Sequence, residues 1–265
     1  PIKSSAASDV YKRQFLKGYD DPRLKSYFSA AQDGRDNDGN ITQTVAGVKQ
    51  LTSIEGKFKG VRQGTGVGDN RYSTHSRTTI TTSSKIIVMA AAEVWFLRAE
   101  AALRGFTSED VESCYKQGVT TSFAQWDASG VSEYLESENT PADYVDTFDK
   151  NFDAKATTSI TPKWDNAADN ETKLERIITQ KWLAIYPEGC EAWAEQRRTG
   201  YPKLFKVVVN NSSNTISTDE MIRRVFFNQD YITNNKPLYD ALVSKLGGQD
   251  TGGTRLWWDT GKNNF

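Results

Sequence analysis

The strongest periodic signal in the chain lies between about Lys85 and Arg104. Val88, Ala92, Trp95, Phe96, Ala99 and Leu103 share one helical face there, and Gly105 supplies the stop. Thr107, Ser108, Glu109 and Asp110 then offer a helix cap and an acidic first turn, behind which Val111, Cys114, Tyr115, Gly118, Val119 and Phe123 continue at helical spacing. So short a connection predicts an antiparallel helix pair. A second pair lies further along the chain. Asn170-Glu171 opens a helix whose Leu174, Ile177, Ile178, Trp182 and Ile185 face a core, and Pro187 ends it. Glu188 to Arg198 forms a further short helix with Ala192 and Trp193 turned inward, closed by Thr199-Gly200-Tyr201-Pro202.

The remaining patterns are weaker. Asp21-Pro22 starts a turn into a short helix carrying Leu24, Tyr27 and Phe28, and Pro141 precedes a stripe of Tyr144, Val145 and Phe148 running toward Phe152. Tyr231 to Leu246 predicts one more helix, with Leu238, Leu242, Val243 and Leu246 on its apolar side and Gly247-Gly248 at its end. The triplets Val207–Val209 and Val225–Phe227 suit either short strands or extended connections. From Gln32 to Ser84, Gly, Asn, Asp, Ser and Thr dominate, which predicts long irregular loop with short edge strands. The fold class read from these elements is mostly α, with tetratricopeptide-like helix pairs and long irregular loops. Residues 1–14 begin without Met and are unlike the rest of the chain, so they read as a truncated or non-native leader, leaving 15–265 as the structured part.

Charge narrows the partners. With 33 Lys and Arg against 34 Asp and Glu, the chain lacks the basic excess that phosphate-tracking proteins need, so nucleic acid is set aside. No stretch approaches the ~20 apolar residues that span a bilayer. Cys114 and Cys190 lie far apart without a CxxC or a nearby histidine, and read as free core thiols. No metal and no cofactor is expected.

The chemistry of catalysis is also missing from the sequence: HExxH, GxSxG and P-loop patterns do not occur. The single histidine, His75, falls in a polar loop and is expected to be exposed. Glu93 and Glu100 share a helix face and read as structural ion-pair partners, while Arg197-Arg198 and Arg223-Arg224 read as ties between segments. Aromatic side chains in polar loops carry more information, because sugar rings stack their C–H faces on flat rings while their hydroxyls bond to Asn, Asp and Arg. Tyr72, beside Asn70 and Arg71 in the Gly/Asn-rich loop, fits that description best; Trp126 and Trp164 also fall in or beside polar segments, with core packing as their alternative. Asn70, Arg71, Tyr72, Trp126 and Trp164 form the candidate ligand-binding set.

Four stretches, in order, resemble the SusD/RagB family of Bacteroidetes outer-membrane nutrient-binding lipoproteins. They are DPRLKSYF (21–28), MAAAEVWFLRAEAALRG (89–105), ITQKWLAIYPEGCEAWAEQRRTGYPKL (178–204), and the C-terminal pair RRVFFNQDYITNN and RLWWD. The resemblance implies a tetratricopeptide-containing scaffold that captures oligosaccharide, or sometimes peptide, at the cell surface and lids a SusC-like TonB-dependent transporter, without catalysis. It also implies a lipid anchor at the external face of the outer membrane, through a region preceding the DPR segment that this sequence does not contain. It transfers no ligand contact to individual residues. The alternative function is a helical-repeat scaffold that binds a peptide or a partner protein.

Overall fold

A computed structural model describes residues 10–31, 43–45, 48–50, 57–65, 72, 75–147, 149–261 and 263–265. The elements in chain order are α1 (Val10–Gly18), α2 (Leu24–Tyr27), β1 (Gln43–Val45), β2 (Val48–Gln50), α3 (Ala91–Leu103), α4 (Val111–Gln125), α5 (Val131–Leu135), α6 (Asn170–Ala184), α7 (Gly189–Thr199), α8 (Gln229–Asn234) and α9 (Lys236–Leu246), with a 3-10 turn at Lys150–Phe152. β1 and β2 pair antiparallel, Thr44 opposite Lys49. The helical fold class is thus the one the periodicity predicted.

The two helix pairs form where the capping signals placed them. Asp110 accepts from the Ser113 N–H at 2.8 Å to start α4, and Asp169 accepts from the Thr172 N–H at 2.7 Å to start α6. Gly105 (φ 74°) and Gly200 (φ 80°) take the left-handed conformation that ends α3 and α7. α3 packs on both α4 and α6, burying Ala92, Phe96 and Ala99 against Tyr115, Val119, Leu174 and Ile178. Gly118 of α4 lets the helices approach closely: a Cβ there would stand 2.8 Å from the Phe96 ring. Ionic contacts complete the joint. Lys181 of α6, almost fully buried, reaches Glu93 at 3.2 Å, Glu191 at 3.0 Å and Glu195 at 3.2 Å. Glu100 of α3 takes two 2.6 Å bonds from Arg198 of α7 and one of 2.8 Å from Arg104.

The DPR stretch explains itself in this setting. Asp21 and Arg23 form an ion pair at 2.6 Å with both side chains at 0% exposure. The guanidinium also donates to Ser122 Oγ of α4 (2.8 Å), Tyr134 of α5 and Gln180 of α6 (3.3 Å each), and lies over the Phe123 ring. One short loop therefore fastens three helices.

Several expectations need correction. Val10–Gln14, within the stretch set aside as a leader, belong to α1: Tyr11, Phe15 and Leu16 are in the core, and Tyr11 donates to the Phe205 carbonyl at 3.1 Å. The stripe after Pro141 is not a helix. Tyr144 instead pairs with Ala154 in an isolated antiparallel bridge, because the surrounding aspartates take the backbone N–H groups: Asp153 accepts from Asp146 N at 2.8 Å, Asp146 from Asp149 N at 3.1 Å and Asp143 from Ala156 N at 2.9 Å. Phe148 lies outside the described residues. α3 starts at Ala91, since Ile86-Ile87-Val88 is a β-branched run, and Val88 is 91% exposed rather than on the buried face. The last predicted helix is two, divided at Asn235, whose side chain caps α9 through Leu238 N at 3.2 Å, with Pro237 in the first turn. Neither valine triplet forms a strand; Val208 and Val209 both donate to the Gly64 carbonyl, at 3.0 and 2.7 Å. Cys114 is buried as expected, but Cys190 is exposed. Among the described residues, no helix is long and apolar enough to cross a membrane, and no group of His, Cys, Asp and Glu is arranged to hold a metal ion.

Candidate functional site

Of the five candidate ligand residues, Asn70 and Arg71 lie outside the described residues. The other three are placed by packing rather than by open display. Tyr72 is buried, and its hydroxyl donates to Asp146 at 3.2 Å. Trp164 is buried beside Tyr115 (centroids 5.1 Å apart), with its indole N–H on Asn166 Oδ1 at 2.9 Å. Trp126 is partly buried edge-on against Tyr27 at 4.6 Å and tilted to Tyr186 at 6.1 Å. These three side chains pack against separate neighbours and do not gather into one ring cluster. For both tryptophans the core-packing alternative is the one seen.

Tyr72 nevertheless has a clear structural task. It belongs to a buried polar knot that fixes the described parts of the Gly-rich loop region to segment 141–155. Asp146 accepts from Tyr72, from the Tyr144 hydroxyl at 2.5 Å and from the Asp149 N–H. His75, whose ring meets Tyr72 edge-on at 5.0 Å, bonds through Nε2 to Thr147 Oγ1 at 3.0 Å. The expectation of an exposed His75 is thus wrong: the side chain is buried, and burial, with the nearby Arg13 charge, pushes its pKa down to about 4 despite Asp146. Neutral imidazole is the form the fold holds at physiological pH. Burial and the Asp146 carboxylate push the Tyr144 phenol well up, so it remains a donor. Nearby, Arg62 bonds the carbonyls of Phe152 (2.9 Å), Asp153 (3.2 Å) and Lys206 (2.7 Å), tying the same loop region to the C-terminal block. Asn70 and Arg71 therefore immediately precede a residue held rigidly to the scaffold.

Sequence reasoning did not single out Trp257. Of the seven tryptophans it alone is exposed, at 93%, next to Trp258 and between Arg255 and Asp259, which pair at 2.6 Å. Its signal was the doubled tryptophan in a polar C-terminal segment. Trp258 turns inward toward Arg197, which also lies 3.9 Å over Trp193 and donates to the Arg223 carbonyl. Arg223 and Arg224 are buried on Asp259 (2.6 Å) and Asp250 (2.5 Å). The arginine pairs are ties between segments.

A rigid helical scaffold with a polar loop region fastened to one part and a bare tryptophan on another has the form of a binding protein. Comparison with known proteins defines it further. Residues 4–259 match the SusD-like family, described as Susd and RagB outer membrane lipoprotein, and the chain belongs to that family. Among solved structures, a SusD homologue from Bacteroides vulgatus shares 46% identity, with a TM-score of 0.85 over 98% of this chain and 50% of its own. A chitin-binding SusD homologue from Flavobacterium johnsoniae shares 39% identity, with a TM-score of 0.83 over 96% of this chain and 49% of its own. A third, from Bacteroides thetaiotaomicron, shares 35% identity, with a TM-score of 0.79 over 93% of this chain and 50% of its own. The chain thus spans about half the length of the solved relatives it matches. No curated protein matches it.

Proposed function

We propose that this chain is part of a cell-surface protein that binds oligosaccharide without cleaving it and passes it to a SusC-like TonB-dependent transporter in the outer membrane. The observation that carries the glycan reading is the 39% identity, over 96% of the chain, to a homologue described as chitin-binding. The family description as an outer membrane lipoprotein supports a location at the outer membrane, on its external face. The physical form agrees: Trp257 offers a flat apolar ring with charged neighbours, and Tyr72 fixes the stem of the loop that carries Asn70 and Arg71.

The test is affinity electrophoresis of the purified protein through gels containing glycol chitin, starch, xylan, pectin or mucin glycans, with reducing-sugar release assayed in parallel. Retardation without release is the expected outcome and names the polymer. Release of reducing ends would overturn the non-catalytic reading. Passage unretarded through every gel would replace a glycan with a peptide or partner-protein ligand.

A further inference from the structure

The α3 helix is apolar on two opposite sides. Ala92, Phe96 and Ala99 are buried against α4 and α6, while Val94 and Leu97, on the reverse face with Ala101, are 41% and 42% exposed. A helix that is hydrophobic all round is an interior helix. The exposed face also continues past both ends of α3, with Met89 bare before it and Phe106 77% exposed after it. Between them, Leu97, Ala101 and Phe106 line a cavity of about 280 Å³, edged by Glu100, Arg104 and Arg198. Its charges already answer one another in ion pairs, so what this face lacks is apolar cover and not a counter-ion.

Stacked helix pairs need a polar outer face on their terminal unit to remain soluble, and neighbouring pairs bury whatever is apolar. Here the outer face of the α3–α4 pair is not a terminal one. Each of the three solved relatives carries about as much chain again beyond the matched half. We infer that the Val94–Leu97–Ala101 face of α3, with Phe106, is the seat of an amphipathic helix from the half of a SusD-like domain that this chain does not represent. The helix lays its apolar stripe along α3 and fills the cavity edged by Arg104 and Arg198. This assignment does not depend on which ligand the protein binds.

The test compares this chain alone with the same chain fused to the portion of the Bacteroides vulgatus homologue outside the match. Both carry Leu97→Cys in a Cys190→Ser background, and the readout is the rate of maleimide labelling. Labelling at least tenfold slower in the fusion is expected. Equal rates in a fusion that melts cooperatively overturn the assignment. So does slow labelling of the unfused chain with sedimentation as a dimer, which would make a second copy the occupant. A second measurement stands if the fusion does not fold. In the unfused chain, Val94→Glu/Leu97→Glu is expected to halve anilinonaphthalene sulfonate fluorescence with no change in Tm; unchanged fluorescence or a lowered Tm would show that the face is already covered.

Discussion

Replacing Arg23 with Met tests whether the DPR loop holds the helices together. The guanidinium is fully buried and makes its bonds to Asp21, Ser122, Tyr134 and Gln180 where bulk water does not reach. Methionine removes the charge and most of these donors, and leaves the Asp21 carboxylate buried with the Arg23 N–H at 2.9 Å as its remaining described donor. Breaking a buried pair from one side costs about 3–5 kcal/mol, mostly for the charge left behind. A domain of this size loses about 2–4 °C of Tm per kcal/mol, so a fall of roughly 6–20 °C is expected. Urea denaturation followed by far-UV circular dichroism gives the free energy directly. The double variant Asp21→Asn/Arg23→Met removes both charges and should be less destabilised than the sum of the single variants, by about 1–3 kcal/mol. Arg23→Met costing under about 1 kcal/mol, or additivity within about 0.5 kcal/mol, would refute the argument that a desolvated pair does the fastening.

Other perturbations are equally direct. His75 has a folded pKa near 4, below its unfolded value, so its contribution is complete above about pH 6.5 and is lost as pH falls from there toward 4. Wild type should lose up to about 3 kcal/mol across that window relative to His75→Asn, as read by urea melts at pH 7, 6 and 5; parallel curves would refute it. Gly118→Ala, favourable in most helices, should here cost about 1–3 kcal/mol, because its Cβ meets the Phe96 ring at 2.8 Å. Phe96→Leu should recover part of that loss in the same melts. Asp146→Ala removes the acceptor of Tyr72, Tyr144 and the Asp149 N–H, and is expected to raise the rate of tryptic cleavage at Lys59 and Arg62 several-fold. Trp257→Ala should leave Tm within about 1 °C and abolish retardation in the gel that retards wild type, since removing an exposed side chain costs little stability.

The helix pairs are legible in the sequence because each boundary has its own chemistry: Asp110 and Asp169 cap, Gly105 and Gly200 stop, and the apolar residues between keep one period. The pattern misleads where local polar side chains outbid the helix. The Tyr144 to Phe152 stripe has helical spacing, yet its aspartates bond the backbone first. Asn235 falls inside one continuous periodic stretch, but its side chain starts a new helix there. α1 is hidden because Lys12, Arg13 and Gln14 look like surface residues, whereas the fold buries all three; Lys12, for example, bonds the Trp182 carbonyl at 2.5 Å and lies over the indole. The binding set fails at a different point. Tyr72, Trp126 and Trp164 have polar neighbours in sequence, but exposure is a property of the assembled fold, and polar neighbours occur equally around a buried ring whose N–H or O–H needs a partner, as Asn166 serves Trp164.

The position of α1 has a consequence for how the chain acquires its shape. Its core contacts are with residues far along the sequence: Lys12 with the carbonyl of Trp182, Tyr11 with that of Phe205, and, just past its end, Tyr19 with that of Ile160. The α3–α4 and α6–α7 hairpins need only local closure and are able to form as they leave the ribosome. α1, made before them, has nowhere to dock until they exist. It waits as an exposed amphipathic segment through most of translation, so substitutions at Tyr11 or Phe15 should act on the rate of unfolding and leave the early steps of folding unchanged.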